Sequence, residues 1–310
     1  MKATTRRDVH QEITDSILKV LERGAMPWRK DWRGSTAAAM TIPRNLATQK
    51  PYRGVNVLLL WSAAQEHGYE TNLWATYRQA ASLGGHVRKG EQGTMVVFYK
   101  SVSRRRDEDD PLDKDDDQHR PFWLVRHYWL FNVQQCEGIP IPEQAPVTEP
   151  RPVVEGVEQF IKACGADVRY GGDRAFYRPQ PDYIQLPPPE AFNSTESFYA
   201  TLLHEHIHWS GHPARLNRNF GERFGDQAYA FEELVAELGA AFMCGELKIR
   251  SDLENHASYL SYWVKLLIED KRAIFSASSH ATRAADYLRG LQGSPDDRSD
   301  DATEVDAGDQ

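Results

Sequence analysis

Apolar and polar positions recur along the 310-residue chain at spacings that predict a mixture of helices and strands. Residues 4–23 carry apolar side chains every three or four positions and end at Gly24, which predicts an amphipathic helix. The same spacing predicts further helices over 55–67, 74–83, 153–165, 253–270 and 280–290. Strand-like composition is found over 94–100, 122–133 and 174–186. The chain is therefore expected to have an α+β fold.

Proline content and charge divide the chain into segments. Five prolines from Pro140 to Pro152 predict a linker. Residues 104–120 carry five basic and eight acidic side chains, and such a segment cannot bury enough apolar surface to order itself. We expect a disordered acidic loop there. The resulting plan is a first domain at 1–140, the linker at 141–152, a second domain at 153–290 and a disordered acidic tail at 291–310.

The segment His204-Glu205-His206-Ile207-His208 lies inside a predicted helix with a Ser194 cap. His204 and His208 are one turn apart on one helix face, so both imidazoles can reach a single Zn²⁺. Glu205 is the general base expected for water that this metal activates. The alternative is a His-rich helix end that carries cations against the helix dipole.

A catalytic zinc usually has three protein ligands, and the third is expected from the next predicted helix, residues 229–242. The apolar residues of that segment form one stripe. Glu233 and Glu237 lie one turn apart on the opposite side, beside alanines that allow another helix to approach. We predict Glu233 as the third ligand and Glu237 as the partner that fixes a ligand histidine's tautomer. Glu232 is predicted to be a solvated surface charge. The alternative for Glu233 and Glu237 is a solvated acidic face. An alternative third ligand is His212, which lies beyond the end of the helix that carries His204 and His208.

Cysteine usage and apolar run length indicate the compartment. Cys136, Cys164 and Cys244 form no CxxC pair, which favours reduced thiols in the cytoplasm. The longest apolar run, Val57 to Trp61, is too short to cross a bilayer. The N-terminus carries no apolar signal region. We therefore expect a cytoplasmic protein with no membrane partner.

The net charge of the whole chain is −8, but its N-terminal domain is basic. Residues 1–103 and 121–145 together carry 16 basic and 10 acidic residues, a balance compatible with phosphate binding. Single-stranded DNA is bound by cations that meet phosphates and aromatic rings that stack on bases. The alternative for each aromatic residue is a place in the core. The candidate DNA-contacting residues are Trp28, Arg29, Trp32, Tyr52, Arg53, Arg88 and Lys89.

Longer stretches around these motifs resemble a known family. His204-Glu205-x-x-His208 followed by Glu233-x-x-Ala-Glu237 is similar to the gluzincin arrangement of zinc peptidases. The segments YATLLHEHIHWSGHPARLNR and YAFEELVAELGAAF resemble the peptidase-like domain of the ArdC family of plasmid antirestriction proteins. The segments PRNLATQKPYRGVNVLLLW, LGGHVRKGEQGTMVVFYK and FNVQQCEGIP resemble that family's single-stranded-DNA-binding domain.

The resemblance implies a small α/β domain that binds single-stranded DNA and a mainly helical, gluzincin-like metallopeptidase domain. It implies a conjugation-associated protein that shields incoming DNA from restriction and has an unknown polypeptide substrate. The three-ligand site predicts one Zn²⁺ per chain, with another divalent metal such as Mn²⁺ as an alternative.

Two other functions stay open. One is a DNA-coating protein whose metal site is structural or vestigial, and the other is a metal-dependent protease that cleaves one regulatory protein. A hydrolytic site would also need a donor to the oxyanion. The candidates for that donor are Tyr229, Tyr259, Tyr262 and His256.

Overall fold

The computed structural model of the chain describes residues 8–28, 41–102, 122–139, 150–221, 226–249 and 257–292. These residues form an N-terminal domain that contains most of the strands and a C-terminal domain that is mainly helical. The two-domain α+β fold predicted from the sequence is thus confirmed. None of the described helices has the long apolar stretch that a bilayer crossing requires.

The N-terminal domain builds a four-stranded sheet in the order β1-β2-β5-β4, and β3 and β6 form a separate pair. β1 and β2 are parallel, and the other neighbouring strands are antiparallel. The buried side-chain amide of Asn56 bonds both backbone groups of Val97 and so fastens α2 to β4. The elements are α1 (Val9–Glu22), β1 (Arg44–Asn45), α2 (Val55–His67), β2 (Leu73–Thr76), α3 (Tyr77–Ser82), β3 (His86–Val87), β4 (Thr94–Val102), β5 (Phe122–Asn132) and β6 (Cys136–Glu137).

The C-terminal domain packs helices against a small sheet in the order β7-β9-β8. β7 is parallel to β9, and β8 is antiparallel to it. α6 lies at the centre, because every residue from Glu232 to Gly245 is buried. The elements are α4 (Pro150–Cys164), β7 (Asp167–Tyr170), β8 (Phe176–Arg178), β9 (Tyr183–Leu186), α5 (Thr195–Ser210), α6 (Gln227–Leu247), α7 (Ala257–Glu269) and α8 (Ala273–Gly290).

Most predicted elements are present, and the differences have local causes. α2 has the predicted bounds, whereas α3 begins later than predicted. Trp74, Ala75 and Thr76 pair with β5, and the Thr76 side chain then caps α3. The unpredicted β7 is mostly exposed, and its alternation of polar and apolar residues extends over only four positions. The predicted loop 104–120 lies outside the described residues, as do most of the predicted linker and tail.

The two domains share one hydrophobic core. Trp28 packs edge-on to Trp263 of α7 with ring centroids 5.9 Å apart, and Trp61 of α2 lies 6.0 Å from Phe242 of α6. The Thr14 hydroxyl of α1 donates to the backbone oxygen of Lys271 at 2.8 Å. The N-terminal domain is therefore packed directly on the helices that carry the candidate metal centre.

Candidate metal centre

α5, which carries the histidine motif, begins where the sequence predicts. The Ser194 side chain accepts from the backbone N–H of Ser197 at 3.0 Å, and the Ser197 side chain accepts from the backbone N–H of Ser194 at 3.2 Å. The helix is not amphipathic, however, because α6, α8 and strands β8 and β9 cover it. Almost every residue from Ser197 to Ser210 is buried.

α5 and α6 approach each other closely at Gly239. A Cβ atom at this position would lie 2.8 Å from Cδ1 of Ile207, so a larger residue would push the helices apart. Ala236, one turn earlier on α6, is fully buried. This close approach brings the carboxylates of α6 within reach of the α5 histidines.

His204, His208 and Glu233 bring their ligand atoms together. Glu233 Oε2 lies 3.6 Å from His204 Nε2, and Glu233 Oε1 lies 3.6 Å from His208 Nε2. One ligand atom from each residue lies within 4.8 Å of the other two. Ligand atoms about 2.0–2.1 Å from a tetrahedral ion are about 3.3 Å apart, so the observed spacing fits one zinc-sized ion.

A second carboxylate of α6 lies behind each histidine. Glu232 Oε1 is hydrogen-bonded to His208 Nδ1 at 3.1 Å, whereas Glu237 Oε2 faces His204 Nδ1 at 3.9 Å, beyond hydrogen-bond distance. Each imidazole therefore directs Nδ1 toward an outer carboxylate and Nε2 toward Glu233. Such pairs fix the tautomer of a metal-binding histidine and raise its basicity.

The prediction that Glu232 is a solvated surface charge is wrong. Its side chain is 2% exposed, and its carboxylate accepts from Arg218 Nη2 at 2.8 Å and from Arg218 Nε at 3.0 Å. The prediction assumed a solvated face on α6, whereas α5 and the chain after it cover this side. One sequence signal was available: residues 227–247 contain no lysine or arginine, although a solvated helix face usually carries both signs of charge.

Burial and the carboxylates act in opposite directions on the site. Burial alone would lower the pKa of His208, but Glu233 and Glu232 outweigh it and raise that pKa to about 9. Burial would raise the pKa of Glu233, yet the two ligand histidines lower it to about 2. The pocket is thus anionic, and a proton or a metal cation can balance its charge.

Two arginines after α5 hold the end of that helix in place. Arg218 Nη2 donates to the backbone oxygen of Ile207 at 2.5 Å, and its Nη1 donates to Ser210 Oγ at 3.0 Å. Arg215 Nε donates to the backbone oxygen of Trp209 at 2.6 Å, and its guanidinium lies 3.9 Å from the centre of the Trp209 ring. The last carbonyls of a helix lack partners within it. Arg215 and Arg218 follow the end of α5 in the sequence. That position was the sequence signal for their role as donors to the last carbonyls of the helix, and the sequence analysis missed it.

His206 faces away from the ligand atoms. Its Nδ1 lies 2.7 Å from the backbone oxygen of Leu202, and its ring packs beside Trp209. Burial lowers the pKa of His206 to about 4, so the ring is neutral near pH 7. Glu205, one position earlier on α5, is 6% exposed.

Two of the four candidate oxyanion donors lie beside the ligands. The hydroxyls of Tyr229 and Tyr259 are 3.1 Å apart, and Tyr229 also hydrogen-bonds Glu233. Tyr262 is 36% exposed, and His256 lies outside the described residues. The tyrosine pair is therefore the better-placed source of a donor.

Known proteins resemble the chain over nearly its whole length. A family model for the N-terminal domain of anti-restriction factor ArdC matches residues 7–131, and one for a zincin-like metallopeptidase matches residues 155–280. The metal-free crystal structure of the antirestriction protein ArdC from plasmid R388 is 37% identical, with a TM-score of 0.76, over 92% of this chain and 98% of that chain. The chain belongs to the ArdC antirestriction family.

Other relatives of this ArdC-family protein extend the comparison. The Mn(II)-bound structure of the same R388 protein matches with a TM-score of 0.73. The protein y4eC of Sinorhizobium fredii is 40% identical over 93% of this chain and 94% of its own length. The DNA primase TraC of Escherichia coli is 36% identical over 92% of this chain, which spans only 27% of the primase. The zincin-like match and the metal-bound relative together indicate a divalent metal.

Two aromatic residues predicted to contact DNA lie in the core of the ArdC-family fold. Trp28 is 3% exposed and Tyr52 is 8% exposed, so neither ring offers a face on which a base could stack. The Tyr52 hydroxyl accepts from Asn45 Nδ2 at 3.1 Å, and burial raises its pKa to about 12. For these two rings the prediction is wrong, because sequence pattern does not distinguish a stacking platform from a core residue.

The predicted cationic DNA contacts are distributed over the surface. Arg53 pairs with Asp286, and Arg88 pairs with Glu91, whereas Lys89 is exposed to solvent. These positions are open to a phosphate, since at least 41% of each arginine side chain is exposed. The remaining two candidates, Arg29 and Trp32, lie outside the described residues.

Exposed rings that the sequence analysis did not single out lie on the hairpin of β4 and β5. Tyr99 is 43% exposed and Trp129 is 45% exposed. The register pairs Met95 with Trp129 and Tyr99 with Val125, and His127 lies between Val125 and Trp129. Alternate strand residues share a face, so Tyr99, His127 and Trp129 form one row, which we call the hairpin face.

Proposed function

We propose that this ArdC-family protein binds single-stranded DNA entering a cell by conjugation, protects it from restriction, and carries a zinc-dependent hydrolytic centre of the peptidase type. The observation that supports the hydrolytic centre is the convergence of His204, His208 and Glu233, with an outer carboxylate behind each histidine. We expect the protein to act in the cytoplasm, on DNA exposed to restriction enzymes.

Zinc is the metal that this donor set favours. Two imidazoles and one carboxylate form a common catalytic zinc site, in which a fourth position stays open. The same donors accept Mn²⁺, in keeping with the Mn(II)-bound relative. When bound, a divalent ion supplies Lewis acidity, which makes water nucleophilic near neutral pH and polarises a peptide carbonyl.

The proposed catalytic base is Glu205, which follows the first ligand on α5. Its carboxylate takes a proton from the attacking water and delivers it to the leaving amine. Burial, together with the charges of Glu233 and Glu205, raises the pKa of the Tyr259 hydroxyl, so this phenol is neutral near pH 7. Because the single Tyr229 proton is donated to Glu233, Tyr259 donates to Tyr229 in the resting site, and we expect its hydroxyl to turn from Tyr229 to donate to the developing oxyanion.

The proposed DNA surface is the hairpin face together with nearby cations. Exposed aromatic rings stack on bases without regard to sequence, at about 1–3 kcal/mol per base. Tyr77 is 60% exposed and follows Thr76, whose register partner Leu130 is next to Trp129. Arg78, Arg88 and Lys89 are exposed cations of the same domain. The likeness to part of a DNA primase supports a role on DNA.

The decisive experiment compares wild type with Glu205→Gln, and uses Glu196→Gln in the first turn of the same helix as a matched control. The measurements are bound zinc, affinity for a single-stranded oligonucleotide, cleavage of denatured casein, and protection of unmodified DNA conjugated into a restricting host. Glu205→Gln is expected to keep zinc and DNA binding and to lose about 10²–10⁴-fold in cleavage rate, because it removes only a general base. Glu196→Gln is expected to match wild type throughout.

The protection assay distinguishes protection by coating the DNA strand from protection by hydrolysis of a protein substrate. We expect Glu205→Gln to protect DNA as wild type does, because occupancy of the strand requires no matched protein substrate. Loss of protection with intact DNA binding would instead make hydrolysis the protective step. A wild-type protein that holds no stoichiometric divalent metal would contradict the proposed hydrolytic centre.

A further inference from the structure

Trp28 enters the protein interior from the N-terminal domain. α1 ends at Glu22. Gly24 then adopts a φ of +75°, a backbone conformation that residues with a side chain rarely adopt, and the chain turns back toward the core at this glycine. Met26 and Trp28 follow at 7% and 3% exposure. Trp28 lies far outside residues 155–280, which match the zincin-like family model.

The indole of Trp28 contacts the carboxylate behind His204. Trp28 Nε1 donates to Glu237 Oε1 at 3.3 Å, and Glu237 Oε2 lies 3.9 Å from His204 Nδ1. Glu237 has no exposed surface. A buried carboxylate is costly unless donors hold it, and a donor on one oxygen sets the direction of the other.

Aromatic packing holds the indole in this orientation. The Trp28 ring meets the Trp263 ring edge-on, and Trp263 Nε1 donates to the backbone oxygen of Ala230 on α6 at 3.1 Å. Tyr259 stacks on Trp263, with ring centroids 6.0 Å apart and ring planes inclined by 20°. The indole is therefore fixed relative to α6, which carries Glu237.

We propose that Trp28 is a positioning residue of the metal centre. Its N–H orients Glu237, whose other oxygen faces His204 Nδ1 at 3.9 Å, and the charge of that carboxylate favours the orientation of the His204 ring that directs Nε2 toward the metal. The inference rests on the proposed metal centre and extends it, because one support of that centre comes from the N-terminal domain. Displacing that domain would therefore weaken metal binding although no ligand is lost.

The test compares Trp28→Phe with Trp61→Phe in the full-length chain. Trp61 is a matched control, since it is also buried, also contacts α6 through Phe242, and donates its N–H to the backbone oxygen of Thr41. The measurements are the Zn²⁺ dissociation constant by chelator competition, the absorption spectrum with Co²⁺ in place of zinc, and the unfolding midpoint without metal.

Trp28→Phe is expected to weaken Zn²⁺ binding by about tenfold, the lower end for outer partners of a ligand, and to shift the Co²⁺ bands. The Trp61→Phe protein should have a similarly lowered unfolding midpoint, but its Zn²⁺ dissociation constant and its Co²⁺ spectrum should equal those of wild type. Equal Zn²⁺ affinity in Trp28→Phe and wild type would overturn the inference but leave the metal centre intact. No Zn²⁺ binding by wild type would overturn both.

A double-mutant cycle separates positioning from a general loss of stability. If Trp28 acts through Glu237, then Trp28→Phe should have no further effect on Zn²⁺ affinity in a Glu237→Gln background. Additive losses would mean that Trp28 influences the centre by another route and would overturn the proposed contact chain. The cycle gives this answer even if both variants are less stable than wild type.

Discussion

At the residue scale, one helix supplies three buried carboxylates whose donors give them different roles. Glu233 faces both ligand histidines, Glu232 is held by Arg218, and Glu237 is held by Trp28. An ionised carboxylate taken out of water costs several kcal/mol unless donors compensate for the lost hydration. Arg218 and Trp28 thus engage two of the three carboxylates. Glu233 accepts from Tyr229, but it is the one of the three that directs both of its oxygens toward the histidine Nε2 atoms.

The first expectation concerns Glu232, which lies behind His208. Glu232→Gln removes the charge that holds the His208 tautomer and leaves Arg218 without its buried counterion. Zinc affinity should fall about 10–100-fold, and the free energy of unfolding without metal should fall by about 3–5 kcal/mol. Chelator competition and urea unfolding measure the two effects.

Glu246→Gln is the matched control for this change. Glu246 lies on the same helix but pairs with Arg289 at the surface, where both side chains are more than one third exposed. Its loss should leave zinc affinity unchanged and cost at most about 1 kcal/mol. If Glu232→Gln behaved like Glu246→Gln, Glu232 would have no role in holding His208.

The sequence could predict the candidate ligand residues but not all of the side chains that support them. His204, His208 and Glu233 follow from helical spacing, because i and i+4 positions share a face whatever surrounds the helix. Glu232 and Trp28 depend on which faces of α6 are covered. For Trp28 this is a property of tertiary packing between positions 209 residues apart, and no local pattern contains it. Glu232 is covered by residues 14 and 24 positions earlier in the chain, and its sequence signal was the absence of lysine and arginine from residues 227–247.

At the scale of elements, the long helices were predictable and the short strands were not. α1 and α2 have continuous apolar spacing and glycine ends, which act locally. β1, β3 and β6 have two residues each and exist only because a partner strand lies beside them. The hairpin of β4 and β5 was recognisable by composition, but its exposed face was not, because register and covering helices decide which rings face solvent.

The second expectation belongs to this hairpin. Trp129→Ala removes an exposed ring from β5 without opening a core cavity, so fold and zinc content should be retained. Affinity for single-stranded DNA should fall by about 1–3 kcal/mol, which is the contribution of one stacked base. Fluorescence anisotropy with a labelled oligonucleotide measures the loss across a salt series.

Tyr170→Ala provides the comparison, because Tyr170 is 55% exposed but lies on β7 of the C-terminal domain. It should bind DNA as wild type does. A Trp129→Ala protein with unchanged affinity, or an equal loss in Tyr170→Ala, would contradict the placement of the DNA surface on the hairpin face. The salt slope should be similar in all three proteins, because no phosphate contact is removed.

At the scale of the whole molecule, the two family domains correspond to separate segments of the sequence, but they pack against each other through a shared hydrophobic core. α1 is fastened to the C-terminal domain by the Thr14–Lys271 hydrogen bond, by the Asp8–Lys271 ion pair and by His10 against Phe275, whose ring centroids are 4.7 Å apart. The proline-rich segment predicts a linker between two domains, yet the buried contacts between the domains oppose independent motion. Interfaces that contain a shared apolar core usually unfold together with the domains that form them.

The final expectation follows from that shared core. Calorimetric unfolding should give one transition for the full chain, and Zn²⁺ should move the whole transition upward, because zinc stabilises only the folded state. Free zinc at 100 times its dissociation constant adds about 2.7 kcal/mol, which corresponds to several degrees in a protein of this size. His208→Ala, which lacks a ligand, should unfold in one transition that zinc does not move. Two transitions, of which zinc shifts only the second, would mean that the N-terminal domain unfolds on its own and that the contacts of α1 and Trp28 with the C-terminal helices contribute little to stability.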